Sequence, residues 1–263
     1  MQTVQEIERA LLELAPYAMK EEWDNVGLLC GRSGQEVRRV LVALDPFCAV
    51  AEEAAAVGAQ LLVTHHPLIF RPAKSVTDRD PVGRALLFLI EHGISAVNLH
   101  TNLDSVPGGV NDVLAEALGL REIGVLSPAG RDSRGREYGL GRWGVTEPCT
   151  LPAFLERVRD ALGCGGIRYA DGGREVRRVA VGGGACGEFL RTALDLGCDT
   201  FVTADLKYND FADARDLGLN LIDAGHFPTE NPVCAVMADF LRARFPDLEV
   251  LVSETHRDVV RFL

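Results

Sequence analysis

The chain has 263 residues, of which 47% are hydrophobic, and a net charge of −11. This length is enough for one elaborate domain or two small ones. The negative charge disfavours binding to nucleic acid or anionic lipid. The chain contains no apolar run of about 18 residues, so we expect no membrane span. An acidic N-terminus without a signal-peptide pattern and seven cysteines without a CxxC motif lead us to expect a cytoplasmic protein with reduced thiols.

Strands and helices alternate over the first hundred residues. The predicted elements are an amphipathic helix (1–20), a strand (38–45), a helix (46–58), a strand (60–66), a helix (80–93) and a strand (94–100). Pro46 and Gly58 are typical of the beginning and the end of a helix. This order is typical of a mostly parallel sheet.

The second half of the chain resembles the first. Residues 38–64 align with residues 177–203 without a gap, and eight of the 27 aligned positions are identical. Residues 93–104 resemble residues 218–230 more loosely. We therefore predict an α/β fold of two related lobes with mostly parallel sheets, although any two β–α–β units share part of this pattern.

The segment 127–144 is rich in glycine, arginine and serine, which predicts a boundary or an exposed loop. We accordingly divide the chain into three parts. The predicted parts are a first lobe (1–126), a second lobe (127–225), and a C-terminal helix and strand (226–263) that pack back on the first lobe.

Four of the six histidines stand where predicted strands end, and an acidic residue follows two of them. These residues are His65, His66, His100 with Asp104, and His226 with Glu230. Ligands of open parallel sheets bind at the carboxyl ends of the strands. Imidazole and carboxylate groups together are a ligand set for zinc, iron, manganese or cobalt, so we expect a metal site.

Two adjacent histidines indicate more than one ion. Pro67 directly follows His65 and His66 and ends the strand there. Because neighbouring side chains of an extended chain diverge, the pair suits two ions a few ångströms apart better than one. Asp104 and Glu230 are candidate bridging carboxylates in such a pair, whose usual spacing is roughly 3.5–4 Å.

Local sequence patterns give expectations for the structure around His226, His92 and His256. His226 and Glu230 would share one face of a helix, but Pro228 lies between them, so we expect His226 in a loop and Glu230 at the start of a helix. His92 precedes a glycine at a helix end and is interpreted as a C-terminal cap. His256, near the end of the chain, is expected on the surface.

Five segments of the chain resemble the dinuclear-metal proteins related to the yeast NGG-interacting factor, often named type 2 GTP cyclohydrolase I homologues. The segments are EWDNVGLLCG (22–31), LLVTHHPLIF (61–70), NLHTNLDSVPGGVND (98–112), FVTADLKYND (201–210) and LIDAGHFPTE (221–230). The metal ligands that the resemblance implies are His65, His66, Asp104, His226 and Glu230. It also implies two divalent ions in a cleft between two lobes, and a homohexamer built as a dimer of trimers.

The resemblance implies a dinuclear metal-dependent hydrolase. The named candidate is GTP cyclohydrolase I type 2, which opens the purine imidazole ring and releases formate, with His100 as the candidate proton carrier. Candidate contacts to a small-molecule substrate, such as a nucleotide, are Asp205, Lys207 and Tyr208. Relatives often have glycine and histidine where this chain has Ala204 and Asn209, which puts a fixed catalytic role of that loop in doubt. The alternatives are a non-catalytic metal-loaded regulatory protein and a metal carrier.

The motif EWDN leaves two interpretations open. Trp23, Asp24 and Asn25 either line the site or form a side-chain-stabilised turn that leads into the next strand. The local turn is the favoured interpretation.

Overall fold

The computed structural model describes residues 1–263, which form two compact units. The first unit contains residues 1–106 and 233–257, and the second contains residues 107–232 and 258–263. These limits differ from the predicted parts 1–126, 127–225 and 226–263. The first unit ends at Val106 because the helix that follows packs its apolar side chains into the core of the second unit.

Residues 1–106 alternate between strands and helices, as the sequence predicts. The elements are β1 (Gln2–Thr3), α1 (Val4–Leu14), β2 (Gly27–Cys30), β3 (Glu36–Val37), β4 (Arg39–Ala43), α2 (Cys48–Ala56), β5 (Leu61–Thr64), α3 (Pro81–Glu91), β6 (Ser95–Asn98) and α4 (Thr101–Ser105), with a 3₁₀ turn at Tyr17–Met19. Helix α1 begins where the Thr3 hydroxyl accepts from the Glu6 N–H and the Glu6 carboxylate accepts from the Thr3 N–H. Asp80 caps α3 by accepting from the Gly83 N–H.

The rest of the chain forms the second unit and then returns to the first. The elements are α5 (Val110–Ala117), β7 (Arg121–Arg131), β8 (Glu137–Cys149), α6 (Leu151–Leu162), β9 (Arg168–Ala170), β10 (Val176–Val181), α7 (Leu190–Asp195), β11 (Thr200–Thr203), α8 (Tyr208–Asp216), β12 (Asn220–Asp223), α9 (His226–Glu230), α10 (Val233–Arg244) and β13 (Glu249–Val252). A 3₁₀ turn at Gly187–Phe189 precedes α7. None of the helices combines the length and the apolar character needed to cross a membrane.

Each unit is built on a sheet that contains parallel strands, which confirms the predicted α/β class. In the first unit the order is β13-β4-β5-β6-β2, and only β2 runs antiparallel to its neighbour. In the second the order is β7-β8-β10-β11-β12-β9, with β10, β11 and β12 parallel. Every residue of β5 and of β11 is buried. Such runs are typical of parallel strands covered on both faces.

The predicted repeat is confirmed in the order and position of its elements. Strand β5 and strand β11 occupy aligned residues, and helix α2 aligns with the 3₁₀ turn and α7 taken together. The two glycines that follow these helices, Gly58 and Gly197, have φ angles of 69° and 75°, a conformation that glycine adopts readily. The two aligned segments therefore form the same β–α–β unit.

The prediction that residues 127–144 form a boundary or an exposed loop holds only for the turn at residues 132–136. They belong to the long antiparallel hairpin of β7 and β8, which turns around Gly135 (φ 76°). The glycines that suggested a loop instead make room for aromatic rings. A Cβ atom on Gly124 would lie 2.6 Å from the indole of Trp143, and one on Gly130 would lie 2.9 Å from the hydroxyl of Tyr138.

Candidate metal centre

Three histidines of the first unit lie together at the carboxyl end of its parallel strands. Strands β5 and β6 are parallel neighbours, with Thr64 opposite Asn98, so the residues after them meet at one edge of the sheet. The ring of His100 lies 5.3 Å from that of His65 and 5.6 Å from that of His66. A donor atom from each of the three histidines lies within 4.8 Å of the others, a spacing that suits a metal ion.

The end of β5 explains how two adjacent histidines approach each other. The strand ends at Thr64, whose hydroxyl donates to the backbone carbonyl of His66 over 2.7 Å. The ring centroids of His65 and His66 are only 4.9 Å apart and the rings are inclined by 46°. The expected divergence of the two side chains is therefore wrong, because regular extended geometry stops one residue before the pair.

Each of the three imidazoles is held through its Nδ1 atom by an oxygen acceptor. The pairs are His65 with the carbonyl of Leu99 (2.8 Å), His66 with the carboxylate of Asp45 (2.7 Å) and His100 with the carboxylate of Asp24 (2.7 Å). Outer contacts of this kind orient metal-binding histidines and favour the tautomer that presents Nε2 as the ligand atom. The donor set of the first unit therefore fits a divalent metal ion.

Asp104 adds a carboxylate to this set. Helix α4 begins directly after His100, and the Asp104 N–H donates to the His100 carbonyl over 3.1 Å. This short helix brings Oδ1 of Asp104 to 3.6 Å from Nε2 of His65. His65 is fully buried, so its imidazole and this carboxylate lie in a region of reduced solvent screening.

Asp24 supports His100 and was not recognised as such from the sequence. Its carboxylate accepts from the backbone N–H and the hydroxyl of Thr101, over 3.0 Å and 2.5 Å, as well as from His100. Burial works to raise the pKa of Asp24, but the hydrogen bonds from His100 and Thr101 outweigh it and lower that pKa to about 2. Asp24 also accepts from the N–H of Asn25, so the EWDN motif combines a local turn with a contact to the site.

In the second unit a histidine and a glutamate face each other on one short helix. Nε2 of His226 lies 3.0 Å from Oε2 of Glu230, four residues later on α9. The expectation that His226 lies in a loop is wrong. Pro228 is the third residue of α9, where the backbone N–H has no helical partner, so proline does not break the helix.

The carboxylate of Asp205 contacts Nδ1 of His226, as carboxylates contact Nδ1 of two histidines in the first unit. Its Oδ2 lies 2.8 Å from Nδ1 of His226. Asp205 has a φ angle of 56°, a conformation that is uncommon for a residue other than glycine. Of the other two predicted substrate contacts, Lys207 donates its N–H to Asp210 at the start of α8, and Tyr208 is 83% exposed. Contact of these residues with a substrate stays a prediction.

Gly184 leaves the space that the Glu230 carboxylate occupies. A Cβ atom on Gly184 would lie 2.2 Å from Oε1 of Glu230 and 3.1 Å from Nε2 of His226, and its φ angle of 63° also favours glycine. The Gly184 N–H donates to the hydroxyl of Thr229, which fixes the backbone beside the site. The glycine run that follows β10 is the sequence signal for this space.

Comparison with known proteins identifies the family. The family model of Duf34/NIF3 (NGG1p interacting factor 3) matches residues 2–259. The chain belongs to the Duf34/NIF3 family.

Relatives of this NIF3-family chain align over nearly its full length. A Streptomyces coelicolor protein named GTP cyclohydrolase 1 type 2 homolog is 40% identical, over 98% of this chain and 93% of its own. A Helicobacter pylori protein named GTP cyclohydrolase 1 type 2 is 30% identical, over 92% of this chain and 93% of its own. The solved structure of a Bacillus cereus protein related to NIF3 matches with a TM-score of 0.93 at 26% identity, covering 100% of this chain and 99% of that one.

The predictions for the two remaining histidines of this NIF3-family chain, His92 and His256, have different outcomes. His92 caps α3, with its Nδ1 atom 2.8 Å from the carbonyl of Phe88, which confirms the predicted cap. The expectation that His256 lies on the surface is wrong, because its side chain is only 5% exposed. Strand β13 runs parallel to β4, so the residues after β13 reach the carboxyl edge of the first sheet.

Proposed function

We propose that this NIF3-family protein is a metal-dependent hydrolase that binds two divalent ions, zinc, iron, manganese or cobalt. The proposed ligands are His65, His66 and Asp104 of the first unit and His226 and Glu230 of the second. The observation that carries the proposal is the set of imidazoles at strand ends, each oriented through Nδ1 by an oxygen acceptor. Joint action of the ligands from both units is part of the proposal and is supported by the family resemblance.

The residues around the ligands supply positioning and proton transfer in this proposal. When bound, divalent ions activate water for attack and stabilise developing charge. Asp24 fixes Nδ1 of His100, so Nε2 is the atom that would accept and return a proton. A positioned general acid or base typically raises the reaction rate by about 10²–10⁴-fold.

We propose a nucleotide as the substrate, with GTP as the first candidate because of the names that the relatives carry. Two exposed aromatic rings support a planar substrate. Trp23 is 60% exposed and Phe70 is 47% exposed, and their ring centroids lie 6.1 Å and 6.0 Å from that of His100. Exposed rings of this size offer a face for stacking against a heterocycle.

The decisive experiment compares His100→Asn with His92→Asn, which alters a histidine of the same unit outside the proposed site. Metal content and turnover of GTP, a phosphodiester and a small amide are measured with each metal restored. We expect His100→Asn to keep its metal and to lose at least about a hundredfold in turnover, and His92→Asn to keep both.

Three outcomes would change the proposal. Loss of metal in His100→Asn would make His100 a ligand, and full activity would assign the proton transfer to another group. If the metal-loaded wild-type protein turns over none of the substrates, a regulatory or metal-carrying function takes the place of hydrolysis.

We further propose a homohexamer, a dimer of trimers, in the cytoplasm. The family resemblance supports the assembly, and seven cysteines without a CxxC motif support a reducing compartment. Light scattering should give the mass of about six chains, and elemental analysis about two metal ions per chain, the number that the family resemblance implies. A monomer at micromolar concentration would contradict the assembly, and one ion or fewer per chain with metal in excess would contradict the two-metal site.

A further inference from the structure

A second histidine contacts the carboxylate that orients His66. Oδ1 of Asp45 lies 2.7 Å from Nδ1 of His66, and Oδ2 lies 2.8 Å from Nε2 of His256. All three side chains are largely buried, with exposed fractions of 17% for Asp45, 18% for His66 and 5% for His256. Burial works to raise the pKa of Asp45, but the hydrogen bonds from His256 and His66 outweigh it and hold that pKa below its ordinary range.

The fold anchors the segment that carries His256. After β13, the Ser253 N–H donates to the carbonyl of Val42 over 2.8 Å, which extends the pairing with β4. Glu53 on α2 accepts from the Ser253 hydroxyl and from the Glu254 N–H. The Ser253 hydroxyl in turn accepts from the His256 N–H over 3.0 Å, so the backbone at residue 256 is fixed from two elements of the first unit.

We propose that His256 is a positioning residue for the metal ligand His66 and that it acts through Asp45. The inference rests on the metal centre proposed above. A carboxylate that accepts from two imidazoles has its rotamer fixed by both contacts. With Asp45 fixed, Nδ1 of His66 remains the protonated nitrogen and Nε2 keeps the lone pair that a metal ion requires.

Removal of His256 frees one oxygen of Asp45 and allows its carboxylate to rotate. The acceptor at Nδ1 of His66 is then less firmly placed, so the tautomer of His66 is less strictly selected. Loss of an outer-sphere partner typically lowers metal affinity by about 10–100-fold. We expect the effect of His256 to lie at the lower end, about tenfold, because it acts one residue further out.

A purely structural role of His256 predicts a different result. Its ring meets Phe47 edge to face, with centroids 5.5 Å apart, so the imidazole also packs against an apolar neighbour. Glutamine places an amide N–H close to the position of the imidazole Nε2, whereas leucine keeps apolar volume without a donor. The pair His256→Gln and His256→Leu therefore separates hydrogen bonding from packing.

The experiment is a Co²⁺ titration of the metal-free full-length protein, followed by visible absorption. We expect His256→Leu to bind Co²⁺ about tenfold more weakly with an altered absorption band, and His256→Gln to stay within about threefold of wild type. Asp45→Asn should lose about 10–100-fold, because an amide cannot accept from both imidazoles. The control, His92→Leu, should bind as wild type does.

The outcomes are read together with chemical denaturation of each variant. Unchanged affinity in folded His256→Leu would overturn the positioning role alone, and so would a folded His256→Gln that binds as weakly as His256→Leu. If His256→Leu fails to fold, Asp45→Asn decides: unchanged affinity overturns the inference, because His256 acts only through Asp45. A wild-type protein that binds no Co²⁺ would overturn both the metal centre and the positioning role.

Discussion

The two units share one β–α–β framework but carry different groups at its carboxyl edge. In the alignment of residues 38–64 with residues 177–203, Asp45 corresponds to Gly184, and the next strands end at Thr64 and Thr203. Asp45 orients a histidine, whereas Gly184 leaves room for the Glu230 carboxylate. The same position after the first strand therefore supports a candidate ligand in one unit and makes space for a candidate ligand in the other.

The short helices α4 and α9 extend the comparison. A histidine and an acid stand four residues apart in both, as His100 with Asp104 and as His226 with Glu230. His100 precedes the first residue of its helix, whereas His226 is the first residue of its own. The two pairs therefore differ by one residue in their position relative to the helix. In α9 the histidine and the acid of the pair lie close to each other. In α4 the acid lies close to His65.

The largest expected effect tests the different donor sets of the two units. The first unit offers mainly imidazole and the second a carboxylate beside one imidazole, so His65→Ala should weaken Zn²⁺ more than Mn²⁺. Glu230→Gln should weaken Mn²⁺ more, because that ion prefers oxygen ligands. Calorimetric titration should show more than about a hundredfold loss for the affected ion, beyond the range for outer-sphere contacts. Equal losses for both ions in both variants would show that the two donor sets do not differ in metal preference.

A smaller effect separates support of the site from support of the fold. Asp24 in the first unit and Asp199 in the second are buried and accept several hydrogen bonds, but only Asp24 contacts a histidine of the site. Asp24→Ala and Asp199→Ala should each lower the free energy of unfolding by about 1–3 kcal/mol, since buried donors lose their acceptor.

Turnover distinguishes these two variants. Asp24→Ala should lower turnover by about 10–100-fold, because His100 loses the acceptor that orients its ring, whereas Asp199→Ala should leave turnover unchanged. Similar turnover by both variants, measured on folded and metal-loaded protein, would remove Asp24 from the description of the site.

The smallest expected effect concerns the reactivity of the buried thiols, which measures how readily each unit opens. Burial raises the pKa of Cys198, in the second unit, to about 11, and also raises the pKa of Cys30, in the first. At pH 8 a thiol of pKa 11 is about one-thousandth ionised, so a disulfide reagent should modify half-buried Cys48 well before either buried thiol. Labelling in low denaturant should then give separate rates for Cys30 and Cys198. Identical rates would indicate that the two units open together.

The sequence predicted the parts of the molecule that periodicity determines. Apolar runs with helix-ending glycines gave the parallel strands and the repeat, and histidines at strand ends gave the candidate ligands. The hairpin of residues 121–149 was missed because glycine-rich sequence usually indicates a loop. The sequence does not show that aromatic rings pack against Gly124 and Gly130. His256 was missed because its contact with Asp45 joins residues 211 positions apart, which no local pattern records.

The hairpin of the second unit has a consequence for aggregation. Strand β7 forms an edge of its sheet, where unpaired backbone groups can recruit another chain into a growing β-structure. Its pairing with β8 is irregular at two places, Pro128 lacks a backbone donor, and exposed arginines stand at Arg121 and Arg131. Proline, bulges and charge all discourage edge-to-edge addition. We therefore expect copies of this chain to associate through side-chain surfaces and not by continuation of the sheet.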